Sequence, residues 1–158
     1  MLLRLALTLA CVAAFAAPGN AQEHGDEHAA GHGRYALAVF LGSTQVHGDG
    51  EFTVGVEGGI NLNDKWSVGA VLERAERDRH STLYLVGLGW HPLGPELRPQ
   101  FGVGQKDPAG KHETVYRTGL ACELELRDRW FVKPYLAVDF IDNEENEEVY
   151  GIYVGRAF

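Results

Sequence analysis

The chain has 158 residues, with 22 acidic against 14 basic side chains and a formal net charge of −8 at pH 7. That length suits a single domain, and the acidic balance argues against a nucleic-acid partner. Of its two cysteines, Cys11 lies in a leader and Cys122 stands alone after it, which leaves no internal disulfide.

The chain opens MLLRLALTLACVAAFAAPGNAQ. Arg4 supplies a short positive region, residues 5–17 are apolar, and Gly19 and Ala21 are small residues suited to cleavage before Gln22. Residues 1–21 are therefore expected to be a signal peptide for Sec export, cleaved near Ala21; the apolar run is too short for a membrane helix. A lipoprotein reading of Cys11 is weakened by Thr8, which stands where an aliphatic residue is expected. No later stretch holds 18 consecutive apolar residues. If the remaining chain crosses a membrane, it must do so as a closed barrel.

Residues 22–34, QEHGDEHAAGHGR, have no apolar period and read as a periplasmic leader. His24, His28 and His32 are spaced by four, among Glu23, Asp26 and Glu27. Imidazole and carboxylate together suit Zn²⁺, Ni²⁺ or Cu²⁺, and a weak divalent-metal site is one reading. A solvated polar spacer is the other.

From Tyr35 the pattern alternates with period two to the end of the chain, which predicts strands. Eight are expected: residues 35–44, 52–61, 65–74, 81–91, 97–106, 113–126, 129–141 and 150–158. The segments between them carry turn chemistry: HGDGE at 47–51, NLND at 61–64, AERDRH at 75–80, PLGPE at 92–96, DPAGKH at 107–112, Arg127 with Asp128, and DNEENE at 142–147. The strand count is even, and about ten residues is the length a tilted strand needs to cross a bilayer.

One face of each strand is apolar. The other holds Glu57, Glu73, Arg98, Arg117, Glu123, Glu125, Lys133 and Asp139, with Gln100, Tyr135, Tyr153 and many glycines. A soluble lipocalin-like barrel would show this face to water and hold a lipophilic ligand inside. The aromatic residues favour the opposite arrangement. Tyr35, Trp66 and Trp130 begin odd-numbered strands, while Trp90 and Phe158 end even-numbered ones, so all five share one rim. Phe52, Tyr116, Tyr150 and Phe140 mark the other. Two aromatic girdles flanking a band of Val, Leu and Ile suit a membrane barrel with its charges inside. Eight strands enclose just enough room for side chains, so those eight charged residues are expected to form an ion-paired polar network.

The last nine residues, YGIYVGRAF, place Tyr150, Ile152, Val154 and Phe158 on the apolar face, with Arg156 departing from the pattern. This ending resembles the C-terminal strand of bacterial outer-membrane β-barrels, which the barrel-assembly machinery reads. Residues 35–158 as a whole resemble the small eight-stranded outer-membrane barrel proteins of the OmpA and OmpX type. The resemblance implies an all-β, eight-stranded antiparallel up-and-down transmembrane barrel, outer-membrane lipid and the assembly machinery as partners, and a monomer.

No catalytic residues and no cofactor are expected. The lipid A deacylase barrels use a His–Ser pair spaced by one residue; here His80 and Ser81 are adjacent and point to opposite faces. His47, His80 and His112, with Asp49, Glu51, Asp142, Glu144 and Glu145, fall at one rim, either as a cation site or as independent solvated side chains. The role read from the sequence is a non-catalytic structural or ligand-binding protein of the envelope. The alternatives are a metal-handling barrel using the leader, a narrow porin-like channel or transporter, and the soluble lipocalin-like binder.

Overall fold

The computed structural model describes residues 33–46, 48–76, 81–92, 97–108, 111–142 and 145–158. The expected signal peptide and His24, His28 and His32 lie outside them, as do His47, His80 and Glu144.

The described chain forms nine strand segments: β1 (Tyr35–Val46), β2 (Asp49–Asn63), β3 (Trp66–Ala75), β4 (Ser81–Trp90), β5 (Leu97–Pro108), β6 (Glu113–Cys122), β7 (Leu124–Glu125), β8 (Trp130–Ile141) and β9 (Glu147–Ala157). Segments β6 and β7 are one barrel strand with a gap. They pair with β8 in a single register, Ala121 with Tyr135 and Leu124 with Val132. The ladder lapses at Cys122 and Glu123, opposite Pro134 and Lys133, and Pro134 has no N–H to give it. The architecture is therefore an eight-stranded antiparallel meander, closed by the pairing of β1 with β9.

Followed once around the barrel through these pairings, the register returns to β1 displaced by 10 residues. With about 3.3 Å per residue and about 4.8 Å between strands, that stagger tilts the strands by roughly 40°. Ten residues at this tilt rise about 25 Å, the height of the apolar band on a transmembrane barrel.

Burial is inverted relative to a water-soluble protein. Outward-facing Leu37, Val86 and Phe101 are 59%, 58% and 55% exposed, whereas Lys133 and Asp139 are each 1% exposed. A water-soluble barrel would bury the aliphatic set and hydrate the charges. The structure thus selects the second of the two facings that the alternation allowed.

Several element boundaries differ from the sequence expectation, most of all at two places. Strands β1 and β2 run through most of the 47–51 turn cluster, because residues 44, 45 and 46 find partners at 51, 50 and 49. The remaining turn is tight, and Gly48 supplies its φ of 95°. At the other end of the chain, β9 begins at Glu147 rather than Tyr150. Glu147 closes the acidic DNEENE segment, but it pairs with Asp139 in the β8–β9 ladder and its side chain is buried against Lys106. A carboxylate that meets a cation inside the barrel can continue a strand that an unpaired one would end.

The turn before β8 places two non-glycine residues in the left-handed region, Asp128 at φ 59° and Arg129 at φ 65°. Such a conformation costs an L-residue about 1–2 kcal/mol. Arg129→Gly is therefore expected to stabilise the barrel by about 1 kcal/mol, and Gly48→Ala to destabilise it by about as much. Urea midpoints measured in detergent micelles check both; shifts of the same sign would refute the turn geometry.

Candidate functional site: the ion-paired barrel interior

The interior is built on residues that strand alternation points inward, and its centre is Arg117 on β6. Asp139 lies directly across the β6–β8 ladder. Arg117 donates Nε to Asp139 Oδ1 at 2.6 Å and Nη2 to Oδ2 at 2.7 Å, a two-toothed fork. Its Nη1 reaches across the lumen to Glu73 Oε1 on β3 at 2.8 Å. The Tyr153 hydroxyl donates to the same Glu73 oxygen at 3.2 Å.

A second cross-lumen contact joins Lys133 on β8 to Glu57 on β2, at 2.6 and 2.8 Å to the two carboxylate oxygens. The Lys133 ammonium also sits 4.3 Å from the centroid of the Tyr153 ring, within cation–π range. Arg98 Nη2 meets Glu123 Oε2 at 2.9 Å. Lys106 on β5 pairs with Glu147 on β9. Removing an ion from water costs several kcal/mol, and only close pairing with saturated hydrogen bonds offsets it. Each of these nine charged side chains has an oppositely charged partner within contact.

Bulk around the charges comes from aromatic rings. Phe40 packs at 4.8 Å from Tyr153 and edge-on at 6.3 Å from Tyr135, and Tyr135 meets Tyr153 at 5.3 Å. Gly42 and Gly151 lie against the Phe40 ring, where a Cβ would collide with it. These inward glycines are the space that the large side chains fill.

Seven of the eight residues expected in the interior network come together: Glu57, Glu73, Arg98, Arg117, Glu123, Lys133 and Asp139. Glu125 keeps the inward parity, opposite Phe131, but stands beyond the gap at the barrel end and is exposed. Its distance from the strand centre, not its parity, decides its solvation. Lys106 and Glu147 were missed. The expected set held five carboxylates against three cations, and that imbalance was itself a signal that an inward cation was absent from it; Lys106 has the parity of Arg98.

At the rims, Trp66 and Trp90 are opposite each other and stack at 6.2 Å. Tyr35, Trp130 and Phe158 are exposed at the same end, while Phe52, Tyr116 and Phe140 are exposed at the other. In the terminal strand Ile152, Val154 and Phe158 face outward and are exposed. Tyr150 is half-buried and accepts a hydrogen bond from Gln45 Nε2 at 2.7 Å. The Arg156 guanidinium lies 5.6 Å from the Phe158 ring centroid. Cys122 is half-buried.

His112 is exposed and contacts Asp107. Among the described residues, no group of three or more His, Cys, Asp and Glu side chains is placed to hold a metal ion. Ser81 is buried on the inward face. A separate Ser–His contact does occur within the barrel, Ser67 Oγ to His91 Nε2 at 3.2 Å.

No protein-family model and no curated protein sequence matches the chain. Solved structures do. The N-terminal β-barrel domain of Pseudomonas aeruginosa OprF aligns with a TM-score of 0.59 at 17% identity, over 80% of this chain and 99% of that one. The outer-membrane enzyme PagL aligns at 0.55 and 12%, over 78% and 99%. Neisserial surface protein A aligns at 0.53 and 11%, over 78% and 96%.

If Arg117 holds the interior together, removing it leaves two buried carboxylates without their cation. Arg117→Met is expected to cost about 3–5 kcal/mol of stability. Adding Glu73→Gln and Asp139→Asn is expected to restore most of it, because neutral amides need no counter-ion. A urea titration in micelles reads both, and a single variant as stable as the parent would refute the assignment. With its outward apolar band, inward ion pairs and register, the chain has the fold of the small eight-stranded transmembrane β-barrels.

Proposed function

We propose that this chain is an integral outer-membrane protein with a filled, ion-paired interior and a non-catalytic structural or ligand-binding role in the envelope. The observation that carries this reading is the inverted burial: apolar residues are exposed around the whole belt while paired charges are buried inside. Only a lipid surround makes that arrangement favourable. Residues 1–21 direct export through Sec and are removed near Ala21. The barrel-assembly machinery reads Tyr150, Ile152, Val154 and Phe158, and the protein inserts as a monomer with its Trp-marked rim toward the periplasm.

The interior supports a plug rather than a pore. Ion pairs and a tyrosine hydroxyl tie β2 to β8, β3 to β6 and β9, and β5 to β9 across the lumen. The non-catalytic reading rests on the same geometry: the charged groups best placed for acid–base work are held in these pairs. The likeness to PagL is a likeness of fold and carries no site with it.

Cell fractionation with gel analysis tests the reading. The full chain, expressed with its leader, is expected in the outer membrane as a band whose mobility shifts on boiling. Deleting Phe158 is expected to reduce that band several-fold. A soluble protein without a heat shift would overturn the proposal and point to the lipocalin-like alternative.

The leader supports a second, separable role. Three histidines spaced by four among carboxylates favour weak Zn²⁺, Ni²⁺ or Cu²⁺ binding. Calorimetry is expected to show such binding in the exported chain and to lose it when residues 22–33 are deleted, without change to the barrel. Equal heats from the two chains would remove this role.

A further inference from the structure

The outer wall of the barrel is not uniformly convex. Two adjacent rows of outward residues cross β2, β3, β4 and β5. In one row Leu72 is opposite Tyr84, and Tyr84 is opposite Gln105. In the row nearer the Trp-marked rim Gly58 is opposite Ala70, and Ala70 is opposite Val86. Gly58 and Ala70 add almost no bulk there, and the wall is recessed in an open depression of about 520 Å³. Gly58 and Ala70 form its floor, with Leu72, Tyr84, Val86 and Val103 around it. A Cβ at residue 58 would meet nothing within 4 Å, so no contact within the barrel requires glycine at this position.

The end of the depression away from the Trp-marked rim is polar. Arg74 follows Leu72 on the outward face of β3 and is opposite Thr82 on β4. Side chains opposite each other in a ladder stand about 5 Å apart at Cβ, so a guanidinium and a hydroxyl meet at the head of the depression. Arg74 is exposed. Among the described residues it has no ion-pair or hydrogen-bond partner. Asp107, opposite Thr82 on β5, contacts His112 instead. From Arg74 to Ala70 is four residues along β3, which at a tilt of roughly 40° span about 10 Å of depth. That distance fits within one leaflet of a hydrocarbon core about 30 Å thick. A cation at the interface with an apolar recess directly beneath it matches the layout of a lipid headgroup above its own acyl chain.

We propose that this depression binds a phosphate-bearing lipid, with the phosphate on Arg74 and Thr82 and one acyl chain lying over Gly58 and Ala70. Arginine forms short, two-pronged hydrogen bonds to phosphate oxygens, and an interfacial arginine without a carboxylate partner is free to make them. The apolar floor selects a hydrocarbon chain over a soluble phosphate. The site rests on the barrel reading above and gives it a ligand class.

The test uses the full chain, expressed with its leader, purified from outer membranes in an uncharged maltoside detergent and labelled with ¹⁵N. Dimyristoyl phosphatidic acid carrying a nitroxide on one acyl chain is titrated while backbone amide resonances are followed. Dimyristoyl glycerol with the same nitroxide, which lacks the phosphate, is the second arm. Saturable broadening is expected at Gly58 and Ala70 before Leu136 and Val154, which face outward four strands away. The phosphate-free lipid is expected to need about tenfold more for the same effect. Arg74→Gln is expected to erase that difference between the two lipids. Gly58→Leu fills the recess from open space and is expected to abolish the selective broadening at Ala70. Heat-modifiability of each variant reports the barrel independently of the site. Loss of the heat shift in the parent chain would sink the barrel reading. In a folded barrel, equal broadening on both walls, or a preference for phosphatidic acid that survives Arg74→Gln, would overturn the site alone. So would a dimer in detergent that Gly58→Leu dissociates, because the recess would then belong to a second copy of the chain.

Discussion

The fork between Arg117 and Asp139, with its third arm on Glu73, is the interaction on which the interior depends. An eight-stranded barrel that turns its apolar face outward must fill its centre with the residues a soluble protein would hydrate. Those groups lose water on folding, so they need one another. Arg117 is suited to the task because its planar group offers several donors in fixed directions and stays charged in any surround. It saturates one carboxylate on the neighbouring strand and still reaches a second across the lumen. A lysine at this position would be a point charge without the fork.

Charge alone does not fill a barrel. The rings of Phe40, Tyr135 and Tyr153 pack beside the ion pairs, and Tyr153 serves both purposes, placing its ring near Lys133 and its hydroxyl on Glu73. Such rings fit only where the neighbouring backbone carries little side chain, and that explains the paired inward glycines at 42 and 151 against the Phe40 ring. The opposite limit appears near the Trp-marked end, where glycines at 59, 69, 87 and 102 line a small cavity. The same residue type makes room for a ring in one half of the lumen and leaves space in the other.

Much of this was legible in the sequence, because strand alternation has a fixed period. Parity assigned Arg117, Asp139, Lys133 and Glu57 to one face, and the structure places them there. What parity does not carry is height. Glu125 has the right parity and lies beyond the gap, in solvent; Glu147 has the right parity and lies within the barrel. The difference is set by where each strand stops, and that depends on the partner strand and on cations such as Lys106 rather than on local turn chemistry. DNEENE reads as loop because five of its residues favour solvent, and only the long-range pair reveals that the sixth does not.

The pairs across the lumen also bear on how the barrel closes. Neighbouring strands form hairpins from nearby residues, but Lys133 and Glu57 are 76 residues apart and Tyr153 and Glu73 are 80 apart. These contacts exist only when the sheet has curled far enough for β1 to meet β9. In an open sheet the same carboxylates and ammonium would face no partner, and the edges of β1 and β9 would carry unpaired backbone groups. Within a bilayer neither condition is tolerable. Edge pairing and interior ion pairing therefore depend on one another: the ladder between β1 and β9 brings the charges within reach, and the charges penalise every arrangement in which that ladder is missing. A strand meander of this kind gains its cooperativity less from any single hairpin than from a polar interior that is satisfied only when the circle is complete.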